Sequence, residues 1–169
     1  DIILCGRAFD LSPFAAPAIH NGFSEGYAYH LGKALECAAL CAVPGTTKDC
    51  MSGIIQEDGF IVKPLNKNRV CTKISVAAHT FYEKDHPFIW HGPRIIMDLE
   101  DCVFEEIGDG SAKVYGSKIS KSPEYKIKLE GARRVGYRTF VIAGIRDPLF
   151  IKNIDEIETA AKKMTEEYY

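Results

Sequence analysis

A mixed α+β fold is predicted: a strand–helix portion first, then a largely antiparallel sheet, then a closing helix. Three observations predict it. The opening "DIILC" is a continuous apolar run stopped by Gly6, the pattern of a strand buried on both faces. From "IIMDLEDCVFEEI" onward the chain turns to short runs rich in β-branched and aromatic residues, punctuated by Gly108-Asp109-Gly110. After "VIAGIRDP", Leu149, Ile151, Ile154, Ile157 and Ala161 recur on one side of a helix.

Taken in order, Asp10 or Ser12 is expected to cap a first helix with Pro13 at its entry. Ser24 caps a second, "EGYAYHLGKALECAALCAV", ended by Pro44-Gly45. "TTKDCMSGIIQEDGF" reads as a loop and "FIVKPL" as a short strand. Thr72 caps a helix over residues 73–85, stopped by Pro87. "AKVYGSKIS", "EYKIKLEG" and "RRVGYRTFVIAG" read as strands. In the second of these Tyr125, Ile127 and Leu129 face a core and Lys126, Lys128 and Glu130 face water. Asp147-Pro148 is an N-cap with a first-turn proline. No linker divides the 169 residues, so they read as a single unit, and the strand-like start and helical finish read as a piece of a longer protein.

The chain is 46% hydrophobic with a formal net charge of −2, which supports a core and argues against a nucleic-acid partner. No apolar run reaches membrane-spanning length, so no membrane partner is expected. Six scattered cysteines form no C-x-x-C pair. They read as free thiols in a reducing compartment, the cytoplasm.

Several groups carry possible chemistry. Arg7 follows the first strand, where α/β proteins bind ligands, and a guanidinium there suits a carboxylate or phosphate; Asp10 is its orienting or acid–base partner. Glu36 is a carboxylate among small apolar neighbours, a general acid or base if buried, or half-solvated and paired with Lys33. Lys48, in "PGTTKD", can meet an anion, although the Walker A pattern is absent. His79, Glu83 and His86 fall near one line if residues 73–85 are helical, but H-x-x-x-E-x-x-H is not a zinc pattern. That stripe reads as the polar face of the helix, lining a pocket, and no metal is assigned. Cys37 and Cys41, one helical turn apart, read as packing.

Together "CGRAFD", "LECAA", "PGTTKDCM", "SVAAHTFYEKDHP" and "YKIKLEGARRVGYRTFVIAGIRDP" resemble the acyclic terpene utilisation AtuA-like family over nearly the whole chain. Gly6, Arg7 and Asp10 match its G-R-x-x-D. Glu36 and Cys37 match its Glu-Cys pair, and Ser75, Val76, Ala77, Tyr82, Glu83 and Pro87 match its S-V-A, Tyr-Glu and Pro. Terpene-pathway members carry Gly after the Glu-Cys pair, where this chain carries Ala38, which marks a divergent branch. The resemblance implies catabolism of branched or acyl-CoA-type acids and names no cofactor.

The expectation is an enzyme domain acting on a small anionic organic acid or acyl thioester. Arg7, Lys48 and His79 would bind substrate, and Asp10, Glu36 and Glu83 would do acid–base work. The alternative is a non-catalytic assembly or subunit-interface domain. Expected partners are a small anionic metabolite and the remainder of the full-length chain, with room for a homo-oligomer.

Overall fold

The computed structural model describes residues 2, 4, 6, 8–84, 86–127, 129 and 131–166, and they divide into two compact units, residues 1–129 and 130–169. The first unit holds α1 (Ser12–His20), α2 (Glu25–Leu35), β1 (Met51–Gln56), β2 (Gly59–Pro64), α3 (Lys73–Thr80), β3 (Ile89–His91), β4 (Ile95–Asp98), β5 (Val103–Gly108), β6 (Ser111–Tyr115) and β7 (Lys118–Lys121). The second holds α4 (Pro148–Lys152) and α5 (Ile154–Thr165). The mixed α+β prediction stands: both sheets are antiparallel, in the orders β1-β2-β6-β5 and β3-β4-β7.

Local chemistry sets several boundaries as expected. Asp109 and Gly110 join β5 to β6 with φ values of 48° and 78°, the two left-handed residues that a tight hairpin turn requires. The Thr72 side chain accepts from Ser75 N–H, and the Ser75 side chain accepts in turn from Thr72 N–H, a complete capping box for α3. The Asp147 carboxylate accepts from Leu149 and Phe150 N–H at the start of α4. At α1 the N-cap is Leu11, between the two residues expected, with Pro13 in the first turn.

Other expectations are overturned. Residues 51–56, read as loop, form β1, joined to β2 by a two-residue turn at Glu57-Asp58. Gly53 obscured the strand: a Cβ there would lie 2.6 Å from a Leu31 methyl, so its absence lets α2 pack on β1. The second helix ends at Leu35, not at Val43. Ala38 takes φ 56°, and the chain turns back to bridge Ala39 to Thr46 and Val43 to Val70. A left-handed alanine is strained where glycine is not, so Ala38→Gly is expected to raise stability by about 1 kcal/mol, read from urea denaturation midpoints at unchanged slope.

The β-prone run at the start is not a strand among its described residues. Ile2 and Leu4 are exposed and unpaired with any strand, and the rest of that run, Asp1, Ile3 and Cys5, lies outside the described residues. "EYKIKLEG" forms no strand at residues 124–127 and 129, and Tyr125, Ile127 and Leu129 are exposed instead of facing a core; Lys128 and Glu130 lie outside the described residues. "RRVGYRTFVIAG" is likewise exposed and without a strand. Side-chain propensity alone makes no ladder; a neighbouring backbone must supply the hydrogen bonds.

The core joins Leu31 and Ala34 of α2, Phe60 and Val62 of β2, Val76 of α3, and Ala112 and Val114 of β6. At its centre His30 is fully buried, one ring nitrogen bonded to Ser117 Oγ and the other, at 2.9 Å, to Thr80 Oγ1. The edges of Phe60 and Phe104 close around it. A single imidazole thereby ties α2, α3 and the β6–β7 connection together.

Candidate functional site

The C-terminal end of α2 gathers three of the polar residues singled out in the sequence, Glu36, His79 and Glu83. Lys33, in its last turn, is favourably placed near the negative end of the helix. Its side chain is only 3% exposed. The ammonium donates to Glu36 Oε1 at 2.6 Å and lies 3.7 Å from Glu83 Oε2. The two carboxylates differ sharply in access: Glu36 is 10% exposed and Glu83 46%. Glu36 is therefore paired with Lys33 as the sequence allowed, and it is partly buried.

α3 supplies the other wall. His79 is buried, and its Nε2–H donates to the Lys33 carbonyl at 3.1 Å, satisfying one of the acceptors that a helix end leaves open. That bond fixes the proton on Nε2. Burial, then the nearby Lys33 ammonium, hold the imidazole below its usual range. The Tyr82 ring stacks on His79 and lies 5.0 Å from the Lys33 ammonium, within cation–π range. A hydrogen bond to the Glu83 carboxylate pushes the Tyr82 phenol up to about 12. Glu83 itself adopts φ 58°, a conformation costly for any residue but glycine.

The linear His79–Glu83–His86 stripe does not exist. α3 ends at Thr80, and the left-handed Glu83 turns the chain away. His79 is inside, not on the wet face, while His86 is exposed and accepts from Phe88 and Ile89 N–H through Nδ1. Among the described residues no three His, Cys, Asp or Glu side chains converge as metal ligands would.

Cys37 follows Glu36 directly. Burial and the adjacent Glu36 carboxylate push its thiol upward, with smaller contributions from Glu83 and Asp10. It is thus a thiol, not a thiolate, at neutral pH. Asp10, which is exposed, immediately precedes Leu11, whose backbone packs on α2 at Gly32. A Cβ at Gly32 would sit 2.8 Å from the Leu11 carbonyl oxygen, so the glycine lets the two segments meet. Cys41, expected one helical turn from Cys37, is instead buried beyond the end of α2, where its thiol donates to the Ala34 carbonyl and meets Cys71.

Glu36, His79 and Glu83 are therefore brought to one place around Lys33, while Asp10 is exposed just ahead of α1. Arg7 lies outside the described residues. Lys48 is exposed on a separate turn, which is fastened by Asp49 to Arg69 at 2.9 Å and to Asn66 at 2.8 Å. The residues that sequence reasoning undervalued are Lys33 and Tyr82. The three-residue spacing from Lys33 to Glu36 was the available signal; nothing local pointed to Glu83 as the second partner.

Fold and site together define a mixed α+β protein with a buried lysine bridging two carboxylates at a helix end. The family model described as acyclic terpene utilisation family protein AtuA matches residues 1–168, and the chain belongs to that family. Membership suggests a metabolic role related to terpene utilisation. No curated protein and no solved structure matches the chain. Among the described residues, no helix is long and apolar enough to cross a membrane.

Proposed function

We propose that the chain is an enzyme domain that moves a proton on a small anionic organic acid or its acyl thioester, with Glu83 as the group that meets the substrate. The observation that supports this reading is the asymmetry of the two carboxylates around Lys33. Glu36 is shielded and in direct contact with the ammonium, so it balances that charge. Glu83 is accessible, near the same ammonium and bonded by Tyr82, which orients its carboxylate to meet a substrate proton. Its left-handed backbone is the kind of local strain that functional sites retain.

One cation facing two carboxylates leaves the cluster itself negative, so a substrate's own anionic group would be held elsewhere. Arg7 carries that role in this reading, with Lys48 as a further cation. Lys33 and His79 act through their neighbours and are positioning residues, while Asp10 is the partner of Arg7 in this reading. The second reading, an assembly domain, is favoured by the exposed apolar run that includes Tyr137 and Phe140–Ile142.

The test is a thermal-shift screen of organic acids and acyl-CoA thioesters, followed by turnover of whichever compound raises the melting temperature. Glu83→Gln is expected to leave the fold intact and to slow turnover about 100-fold or more. Arg7→Ala is expected to weaken binding. Unchanged turnover in Glu83→Gln would remove the proposed base, and an absence of any stabilising acid or thioester would remove the substrate class.

A further inference from the structure

Residues 130–169 form a unit without a core among its described residues, where Ile157 alone is even partly buried. Tyr137, Phe140, Val141 and Ile142 are 88%, 79%, 83% and 100% exposed. The run around them is rich in β-formers and carries Arg133, Arg134 and Arg138. Apolar side chains and unpaired backbone in one extended run are what drives addition to an open sheet edge.

Among the described strands of the first unit, β1, β5, β3 and β7 lie at sheet edges. Charge and length separate them. β7 carries Lys118 and Lys121, which would repel the arginines, and β3 has only three residues. β1 carries no charged side chain. β5 offers six residues with Glu105 and Glu106, follows Glu100 and Asp101, and leaves Val103 and Ile107 39% and 46% exposed. Asp101, Glu105 and Glu106 each accept one bond already, from Lys118, Tyr115 and the Lys73 N–H, and a carboxylate has capacity for more.

We propose that residues 137–142 of one copy of this chain add as a strand to β5 of a second copy, reciprocally, making a homodimer. The arginines of each copy then face the acidic edge of the other, and the exposed Val103 and Ile107 gain apolar neighbours. A reciprocal exchange closes under two-fold symmetry and leaves no free edge at β5 to propagate a fibre. The proposal is independent of any reaction at Glu83.

Sedimentation of the protein over a micromolar concentration series is expected to show a monomer–dimer equilibrium. Amide exchange should slow at residues 103–107 and 137–142 in the dimer only. Glu105→Arg with Glu106→Arg should weaken association roughly tenfold or more, and mixing that variant with Arg134→Glu/Arg138→Glu should restore it. Thr139→Pro and Phe140→Pro are made separately, because successive N–H groups alternate in direction and one of the two must remove a ladder donor. A protein monomeric throughout the series overturns the proposal. So does protection of those segments that persists in the monomer, protection of a different edge strand, or a dimer indifferent to both proline variants and to the charge exchange.

Discussion

Lys33→Met is expected to cost about 3–5 kcal/mol of stability, the largest loss among single changes around this site. The ammonium is buried with its carboxylate partner Glu36, whose side chain is 10% exposed. Removing the cation leaves that carboxylate in a poorly solvated position without a counter-ion, and a lone buried charge is far more costly than the pair that contained it. Methionine fills most of the lysine stem's volume, so the loss reports charge and not a cavity. The double variant Lys33→Met/Glu36→Leu is therefore expected to recover most of the deficit, because replacing both members of a buried pair is often close to neutral. Urea denaturation of the two variants and the parent provides the comparison. A single variant within about 1 kcal/mol of the parent would mean that the pair behaves as a surface ion pair and that Lys33 does not organise the site.

The elements that were legible in the sequence are those whose cause is local. The Thr72 cap, the Asp109-Gly110 turn and the Asp147 cap each need only a few adjacent residues in a given order, and each is formed. Where the reading failed, the deciding contact was distant. α2 keeps its helical pattern beyond Leu35, yet the bridge of Ala39 to Thr46 and the pairing of Val43 with Val70 pull the chain out of the helix. β1 was hidden because Gly53 lacks the side chain that Leu31 and Leu35 displace. The site shows the same division. Glu36 stands out as a carboxylate in an apolar stretch, and its pairing with Lys33 follows from helical spacing. The approach of Glu83 to that lysine depends on α3 ending at Thr80 and on a left-handed turn that no residue type there announces. A helix continuing to residue 85 would hold His79 and Glu83 on an outer stripe, whereas the fold turns His79 inward and brings Glu83 to Lys33.

His30 leads to the second large effect, a loss of stability on acidification that begins well above the carboxylate range. The imidazole is fully buried between Phe60 and Phe104, and burial, aided by the charges of Lys84 and His79, lowers its pKa from 6.5 to about 3. Below about pH 6.5 the unfolded chain takes up a proton at this residue that the folded chain refuses, so the unfolded state binds more protons and stability must fall with pH. The slope approaches roughly 1.4 kcal/mol per pH unit, and the total between the two pKa values is about 4–5 kcal/mol. His79, lowered in the same direction, adds to the slope. Carboxylates whose pKa values are lowered, such as Asp49, Asp58 and Asp109, lose their contribution only as pH falls through and below their ordinary value of 3.8, so they do not explain a decline that starts near neutrality. Urea denaturation at pH 7, 6, 5 and 4 measures the slope directly. His30→Gln keeps an amide able to bond one of the two hydroxyls, Ser117 or Thr80, but has no proton to gain. It is expected to be less stable at pH 7 and distinctly flatter with pH. If the variant and the parent decline in parallel, the imidazole is already accessible to protons in the folded state and cannot be the sealed hub that its hydrogen bonds describe.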